Sequence, residues 1–242
     1  MTWRALTNTV LSSLFEPPCA ACSAALVRPL DGAVCDLCWS AVRVAPSRQE
    51  RFNDERAVAW AAAIGEYEGS LRDIIHALKY EGRRSIAPPL GALMRSAGAD
   101  LLRGADVVVP VPLHPRRERS RGFNQADDLA RALGLPVRPL LRRIRYTTSQ
   151  IELPKDERQR NVHDAFALRA SGGSNHLRHS LRWSAVASAE AEDPPLHAAV
   201  LVLVDDVSTT GATLDACASV LKAAGAKEVR ALTAARVASA RR

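Results

Sequence analysis

Val200-Leu-Val-Leu-Val-Asp-Asp-Val-Ser-Thr-Thr-Gly-Ala-Thr213 decides how the rest of this 242-residue chain is read. Residues 200–204 form an apolar run with the length and composition of a buried strand. Asp205 and Asp206 close the run, and a turn of small hydroxyl residues leads into a helical pattern over 213–224. Gly225 is a good terminator for that helix, and 228–235 reads as a returning strand. Strand, helix and strand in this order imply a parallel βαβ unit in an α/β sheet.

Each part of the turn suits an anion. In open α/β sheets ligands sit at the carboxyl ends of the strands. A helix N-terminus offers unpaired N–H groups and the positive end of its dipole. Gly211 lets the backbone approach closely, and the hydroxyls of Ser208, Thr209, Thr210 and Thr213 can donate further hydrogen bonds. Two carboxylates beside a phosphate repel it, unless the ligand also carries vicinal hydroxyls for them to accept from. A phosphate with a diol describes a ribose 5-phosphate. The bland alternative is an N-capped helix in which Asp206 and Thr209 serve only the backbone.

Upstream, Val109-Pro-Val-Pro-Leu-His-Pro-Arg-Arg-Glu-Arg-Ser-Arg-Gly-Phe-Asn-Gln125 leaves a second β-branched run, 106–112, and enters an amphipathic helix over 124–133. Arg116, Arg117, Arg119 and Arg121 crowd what reads as one short loop, and Arg142, Arg143 and Arg145 form another cluster. Guanidinium forks suit pyrophosphate; a solvated basic loop is the alternative. His114 reads as a residue that structures the loop. Earlier still come a strand over 58–67, a helix carrying Leu71, Ile74, Ile75 and Leu78, and a second helix over 86–102. Lysine is rare here, four against 29 arginines, so Lys79 and Lys155 stand out, although an exposed Lys is usually just solvated. Between 171 and 197 little periodicity remains, and a flexible insertion is expected.

At the other end, a helical pattern over 3–15 stops at Pro17 and Pro18. Cys19-x2-Cys22 and Cys35-x2-Cys38 follow, twelve residues apart. Two such knuckles bring four thiolates to one tetrahedral Zn²⁺. Two disulfides are disfavoured in a reducing compartment, and a redox CxxC needs no second pair. A module of about 1–45 cannot pack a core alone, so its metal is a folding element first. Trp39 can stack on a base or pack on the N-terminal helix. A polar stretch, 46–56, reads as a linker to a main domain over 57–242, within which Cys217 reads as a buried apolar residue.

The composition, 47% hydrophobic and 24% charged, is that of an ordinary globular protein. The longest apolar runs, 57–64 and 198–204, are too short to span a bilayer, and the opening residues lack a signal-peptide pattern. A cytoplasmic protein without membrane insertion is expected. The net charge of +7 admits a polyanionic partner, although an Arg- and Ala-rich composition also follows from a GC-rich genome.

The quoted turn resembles the PRPP-binding signature of the type I phosphoribosyltransferases. VPVPLHPRRERSRGFNQADDLA, with Tyr67-Glu-Gly-Ser-Leu-Arg-Asp-Ile-Ile-His-Ala-Leu-Lys-Tyr-Glu-Gly82 before it, resembles the ComF-type subfamily. TSQIELPKDERQRNV, followed by Ala165 and Phe166, matches it too. That subfamily includes late-competence proteins linked to DNA uptake and proteins loosely described as amidophosphoribosyltransferase-like. With the cysteine module, the resemblance covers nearly the whole chain outside 171–197.

The resemblance implies a type I phosphoribosyltransferase fold, a mainly parallel sheet flanked by helices, behind a small zinc ribbon. Asp205 and Asp206 would hold the ribose hydroxyls, directly or through a Mg²⁺-bound water. Ser208, Thr209, Thr210, Gly211, Ala212 and Thr213 would cradle the 5-phosphate. A mobile loop at about 145–162 would close over the leaving pyrophosphate, with Gln150, Lys155, Arg158 and Asn161 as polar contacts. Two functions follow. In one, phosphoribose passes to a nitrogen nucleophile through positioning and charge stabilisation, although no acceptor-recognition motif is legible. In the other, the site, the basic loops and the ribbon serve single-stranded DNA alongside a helicase-like partner.

Overall fold

The computed structural model describes residues 3, 7, 8, 11, 15, 17–44, 50, 51, 56–145, 164–169 and 196–238. Its strands are β1 (Glu50–Arg51), β2 (Trp60–Glu66), β3 (Val107–Pro110), β4 (Leu141–Arg143), β5 (Phe166–Leu168), β6 (Val200–Ser208) and β7 (Glu228–Arg236). Its helices are α1 (Asp36–Ser40), α2 (Gly69–Tyr80), α3 (Ala87–Ala97), α4 (Ala99–Leu102), α5 (Pro115–Arg121), α6 (Gln125–Arg131) and α7 (Ala212–Ala223). Five strands form one sheet in the order β1-β2-β7-β6-β3; β1 runs antiparallel to β2 and the other pairs are parallel. β4 and β5 form a separate antiparallel pair.

The sheet is buried on both sides, which is why β6 is continuously apolar rather than alternating. Successive strand side chains point to opposite faces. Val202 and Val204, with Leu232 and Ala234 of β7, pack into one layer with α2, α3 and α6. Leu201 and Leu203, with Val229 and Ala231, pack into the other with α7 and the β4–β5 pair. In α2, Leu71, Ile74, Ile75 and Leu78 recur at helical spacing, and each is 3% exposed or less.

The helix expected over 86–102 is broken. Gly98 separates α3 from α4, and a Cβ there would lie 2.9 Å from the Leu232 side chain and from the Met94 carbonyl oxygen. The chain bends where β7 leaves room only for glycine. Within the stretch read as a linker, β1 adds an edge strand, pairing Glu50 with Ala61. The N-terminal module shares the main core: Cys19, Leu26, Val34, Cys38 and Val42 belong to the same buried cluster as Leu71 and Ile74. Trp39 packs against that cluster. Asn8, in the helix-like N-terminal stretch, accepts a 2.9 Å hydrogen bond from the Leu30 backbone N–H.

Gln150, Lys155, Arg158 and Asn161 lie outside the described residues, as does most of 171–197. Leu196 and His197 do not belong to a loose insertion, because they open a 3-10 turn, Leu196–Ala198, whose Leu196 is buried. Among the described residues no helix is long and apolar enough to cross a membrane.

Candidate functional site

Parallel pairing puts the carboxyl ends of β2, β6 and β7 together: Glu66 and Ser208 both lie opposite Arg236. β6 runs four residues beyond its apolar run, carrying Asp205 and Asp206 inside the strand. Gly211, at φ +79°, is the N-cap of α7, a left-handed conformation that other residues adopt at a cost. A glycine cap brings no side chain to the first-turn N–H groups. Thr210 Oγ1 accepts from the Ala212 N–H at 3.4 Å. Asp206 is not the helix cap, because its Oδ1 accepts from the Val207 N–H at 2.6 Å. The turn is therefore shaped by Gly211 and leaves a helix of twelve residues opening at the strand edge.

Alternation along β6 sends the two carboxylates to opposite faces of the sheet. Asp205 lies on the side of α7. Burial and the charge of Asp206 push its pKa up to about 8, against the opposing pull of Lys79 and of the Asp206 N–H, which donates to Asp205 Oδ1 at 2.8 Å. Asp206 lies on the side of α2, where Lys79 Nζ stands 2.8 Å from Oδ1. The Lys79 and Asp206 side chains are only 15% and 4% exposed. Asp206 Oδ2 is buried without a hydrogen-bond partner among the described residues, and such an oxygen calls for a donor. Burial works against the Lys79 charge, but Asp206 and then Asp205 outweigh it and hold the pKa above its ordinary value.

Lys79 is thus neither a loop residue nor a solvated one. It sits in the last turn of α2 and continues the buried stripe four residues after Ile75. That spacing was the signal available in the sequence.

The four arginines expected on a loop sit on α5. His114 caps that helix, its Nδ1 accepting from the Arg116 N–H at 3.2 Å, Pro115 occupies the first turn, and left-handed Gly122 ends it. A helix disperses the cluster. Arg116 and Arg119 are exposed, whereas Arg121 turns back to Gln125 and lies 5.4 Å from the Tyr80 ring. Slight desolvation, and then the charges of Arg143, Arg116, Arg119 and Arg117, hold His114 below its ordinary pKa.

Asn124 fastens this region to the strand edge: its Oδ1 caps α6 at Ala126 N, and its Nδ2 donates to the Val111 carbonyl at 3.0 Å. Arg84 makes two bonds to Asp128, of 2.7 and 2.6 Å, on the same helix.

Arg143, from the second basic cluster, points inward from β4 with its guanidinium 5.3 Å from the Phe166 ring. Burial, and then Arg117, lower its pKa, while Cys217 and Asp205 oppose them. Arg143 is therefore within electrostatic reach of both Arg117 on α5 and Asp205 on β6. The β4–β5 pair frames the segment read as the closing loop. Cys217 is fully buried in α7.

In the N-terminal module the four thiols converge. Cys19 and Cys38 sulfurs are 3.9 Å apart, those of Cys22 and Cys35 3.8 Å, and all four lie within 4.8 Å of one another. A disulfide needs sulfurs near ~2.05 Å. Tetrahedral Zn–S bonds of ~2.3 Å require sulfurs about 3.8 Å apart. The cluster fits a metal ion. Although burial alone would raise it, backbone N–H donors, chiefly that of Cys35 at 3.3 Å, bring the Cys19 thiol down to about 6. Burial pushes Cys38 up.

Residues 105–242 match the model of the phosphoribosyl transferase domain family. The chain is 30% identical over 177 residues to competence protein F of Haemophilus influenzae, covering 69% of this chain and 68% of that protein. It is 32% identical over 181 residues to the DNA utilization protein YhgH of Salmonella typhimurium, covering 69% and 68%. Competence protein ComFC of Bacillus subtilis is 27% identical over 222 residues, 88% of this chain and 80% of that protein.

Proposed function

Because the chain belongs to the ComF-type branch of the phosphoribosyl transferase domain family, we propose that it binds PRPP, or a related ribose 5-phosphate, at the β6–α7 turn. One observation carries this reading. The two-carboxylate strand end runs directly into a helix opened by a left-handed glycine, so acceptors for a diol and donors for a phosphate share one turn. Ser208, Thr209, Thr210, Gly211, Ala212 and Thr213 cradle the 5-phosphate. Asp205 and Asp206 accept from the ribose hydroxyls, one from each face of the strand end. Asp206 does so through Oδ2, which must be uncovered as the sugar enters because it is enclosed in the structure.

In the transfer reading a nitrogen nucleophile bonds to the anomeric carbon. The carbon–oxygen bond to pyrophosphate breaks, and the electron pair leaves with that anion. The chain contributes positioning and charge: Arg143, within electrostatic reach of both Asp205 and Arg117, is the cation assigned to that role. Mg²⁺, if bound with PRPP, would offset the pyrophosphate charge. Zn²⁺ at Cys19, Cys22, Cys35 and Cys38 holds the N-terminal module folded.

A second reading rests on the exposed Arg116 and Arg119, which face solvent from α5, and on the names of the competence and DNA utilization relatives. In it, this basic face takes the backbone of single-stranded DNA, alongside a helicase-like partner. Calorimetric titration with PRPP–Mg²⁺ and, separately, with short single-stranded DNA tests both. Binding of neither removes the proposal.

A further inference from the structure

Two carboxylates next to a phosphate site oppose any anion that enters it. Lys79 bears on that difficulty. Its ammonium reaches across from α2 to Asp206 Oδ1 at 2.8 Å, and both side chains are almost wholly enclosed. The same oxygen accepts from the Val207 N–H at 2.6 Å, so two donors fix the carboxylate and leave Oδ2 as the remaining acceptor. Lysine pairs of this kind are weak at a surface, where water screens them. In an enclosed site each partner instead determines how much charge the other presents.

We infer that Lys79 is a positioning residue, the built-in counter-ion of Asp206, whose charge lets the β6–α7 turn take up a phosphate beside two carboxylates. This rests on the phosphate assignment proposed above. Lys79 acts through Asp206 and does not itself touch the phosphate. Its bond is directed at the carboxylate, on the α2 side of the sheet. The α7 helix, whose N-terminus receives the anion, packs on the opposite side.

The test uses inorganic phosphate, which has no diol, titrated into the full chain at about pH 9, above the pKa of about 8 for Asp205, at low salt without magnesium, with PRPP as a second ligand. Asp206→Asn removes a negative charge and leaves the ammonium. It is expected to raise phosphate affinity about fivefold, the size of one screened unit charge several ångströms away, while weakening PRPP, which loses a diol acceptor. Lys79→Met is expected to lower phosphate affinity about fivefold. The double variant, with neither charge, is expected to return to within about twofold of the parent. A purely structural lysine would not produce opposite signs for the two single variants or restoration in the double.

Phosphate affinity that stays level or falls in Asp206→Asn overturns the inference. So does a double variant as weak as Lys79→Met, which would mean that Lys79 contacts the phosphate directly. If Lys79→Met does not fold, Asp206→Asn and the double variant still decide the matter, since the double buries no lone charge. Failure of the parent chain to bind either phosphate or PRPP is a different result. It removes the phosphate assignment and this inference with it.

Discussion

Replacing Cys35 with Ser withdraws one of four thiolates from a cluster whose sulfurs already stand 3.8 to 3.9 Å apart in their closest pairs. The consequence is worked from packing. Leu26, Val34 and Val42 are buried against the main core at 6%, 7% and 8% exposure; the cysteine pairs flank Leu26 and Val34 on both sides, and Val42 follows Cys38 by four residues. Burial of such a side chain contributes about 1.5–3 kcal/mol. Releasing all three therefore costs roughly 5–9 kcal/mol, much of the stability of a domain of this size. The expected outcome has three parts: one zinc per chain by elemental analysis of reduced protein, a large drop in melting temperature for Cys35→Ser, and a similar drop on chelation. Limited proteolysis should then cut first between residues 19 and 42. Protein purified without zinc, or a Cys35→Ser variant that melts with the parent, refutes the reasoning.

Three further outcomes are expected. Because burial and Asp206 raise Asp205 from 3.8 to about 8, the folded chain keeps a proton that the unfolded chain has lost. Stability in the absence of ligand should therefore fall as pH rises from about 4 to about 8. Asp205→Asn should flatten that slope in thermal melts, and an unchanged slope would remove Asp205 as its source. Gly91→Val should destabilise by ~3 kcal/mol in denaturant titration, because a Cβ there would sit 2.4 Å from the Ala132 Cβ where α3 crosses the chain after α6; a neutral result would contradict that packing. Substituting Arg116 and Arg119 with Ala should lower the salt slope for single-stranded DNA by about 0.7 for each lost phosphate contact, and parallel salt lines would take DNA off α5.

The fold was legible where a hydrophobic pattern met its own punctuation. The β6 run, the turn and Gly225 announced a βαβ unit, and the stripe from Leu71 to Leu78 announced α2. The elements that escaped are ones in which periodicity has little to act on. β4 and β5 are three residues each, shorter than one alternation can certify. α5 carries five charged residues in seven and buries no face, so it read as a loop, although His114, Pro115 and Gly122 were start and stop signals in plain view. Gly98 interrupts its helix because of Leu232, a neighbour more than a hundred residues away, and no local pattern reports that. At the site, the β6–α7 turn and the cysteines were readable as motifs. The Lys79–Asp206 pair was not, because it joins two elements, yet the position of Lys79 one turn beyond Ile75 on a buried stripe was the available clue.

The central claim is that the β6–α7 turn holds a ribose phosphate. Its most direct test is the affinity of the full chain for PRPP against that of the Asp205→Asn, Asp206→Asn double variant, measured by calorimetry at about pH 9, above the pKa of about 8 for Asp205. Replacing two charged acceptors with neutral amide oxygens predicts binding weakened by roughly 2–4 kcal/mol in a variant that still melts cooperatively. Equal affinity in the two proteins would contradict the assignment of the diol to these carboxylates.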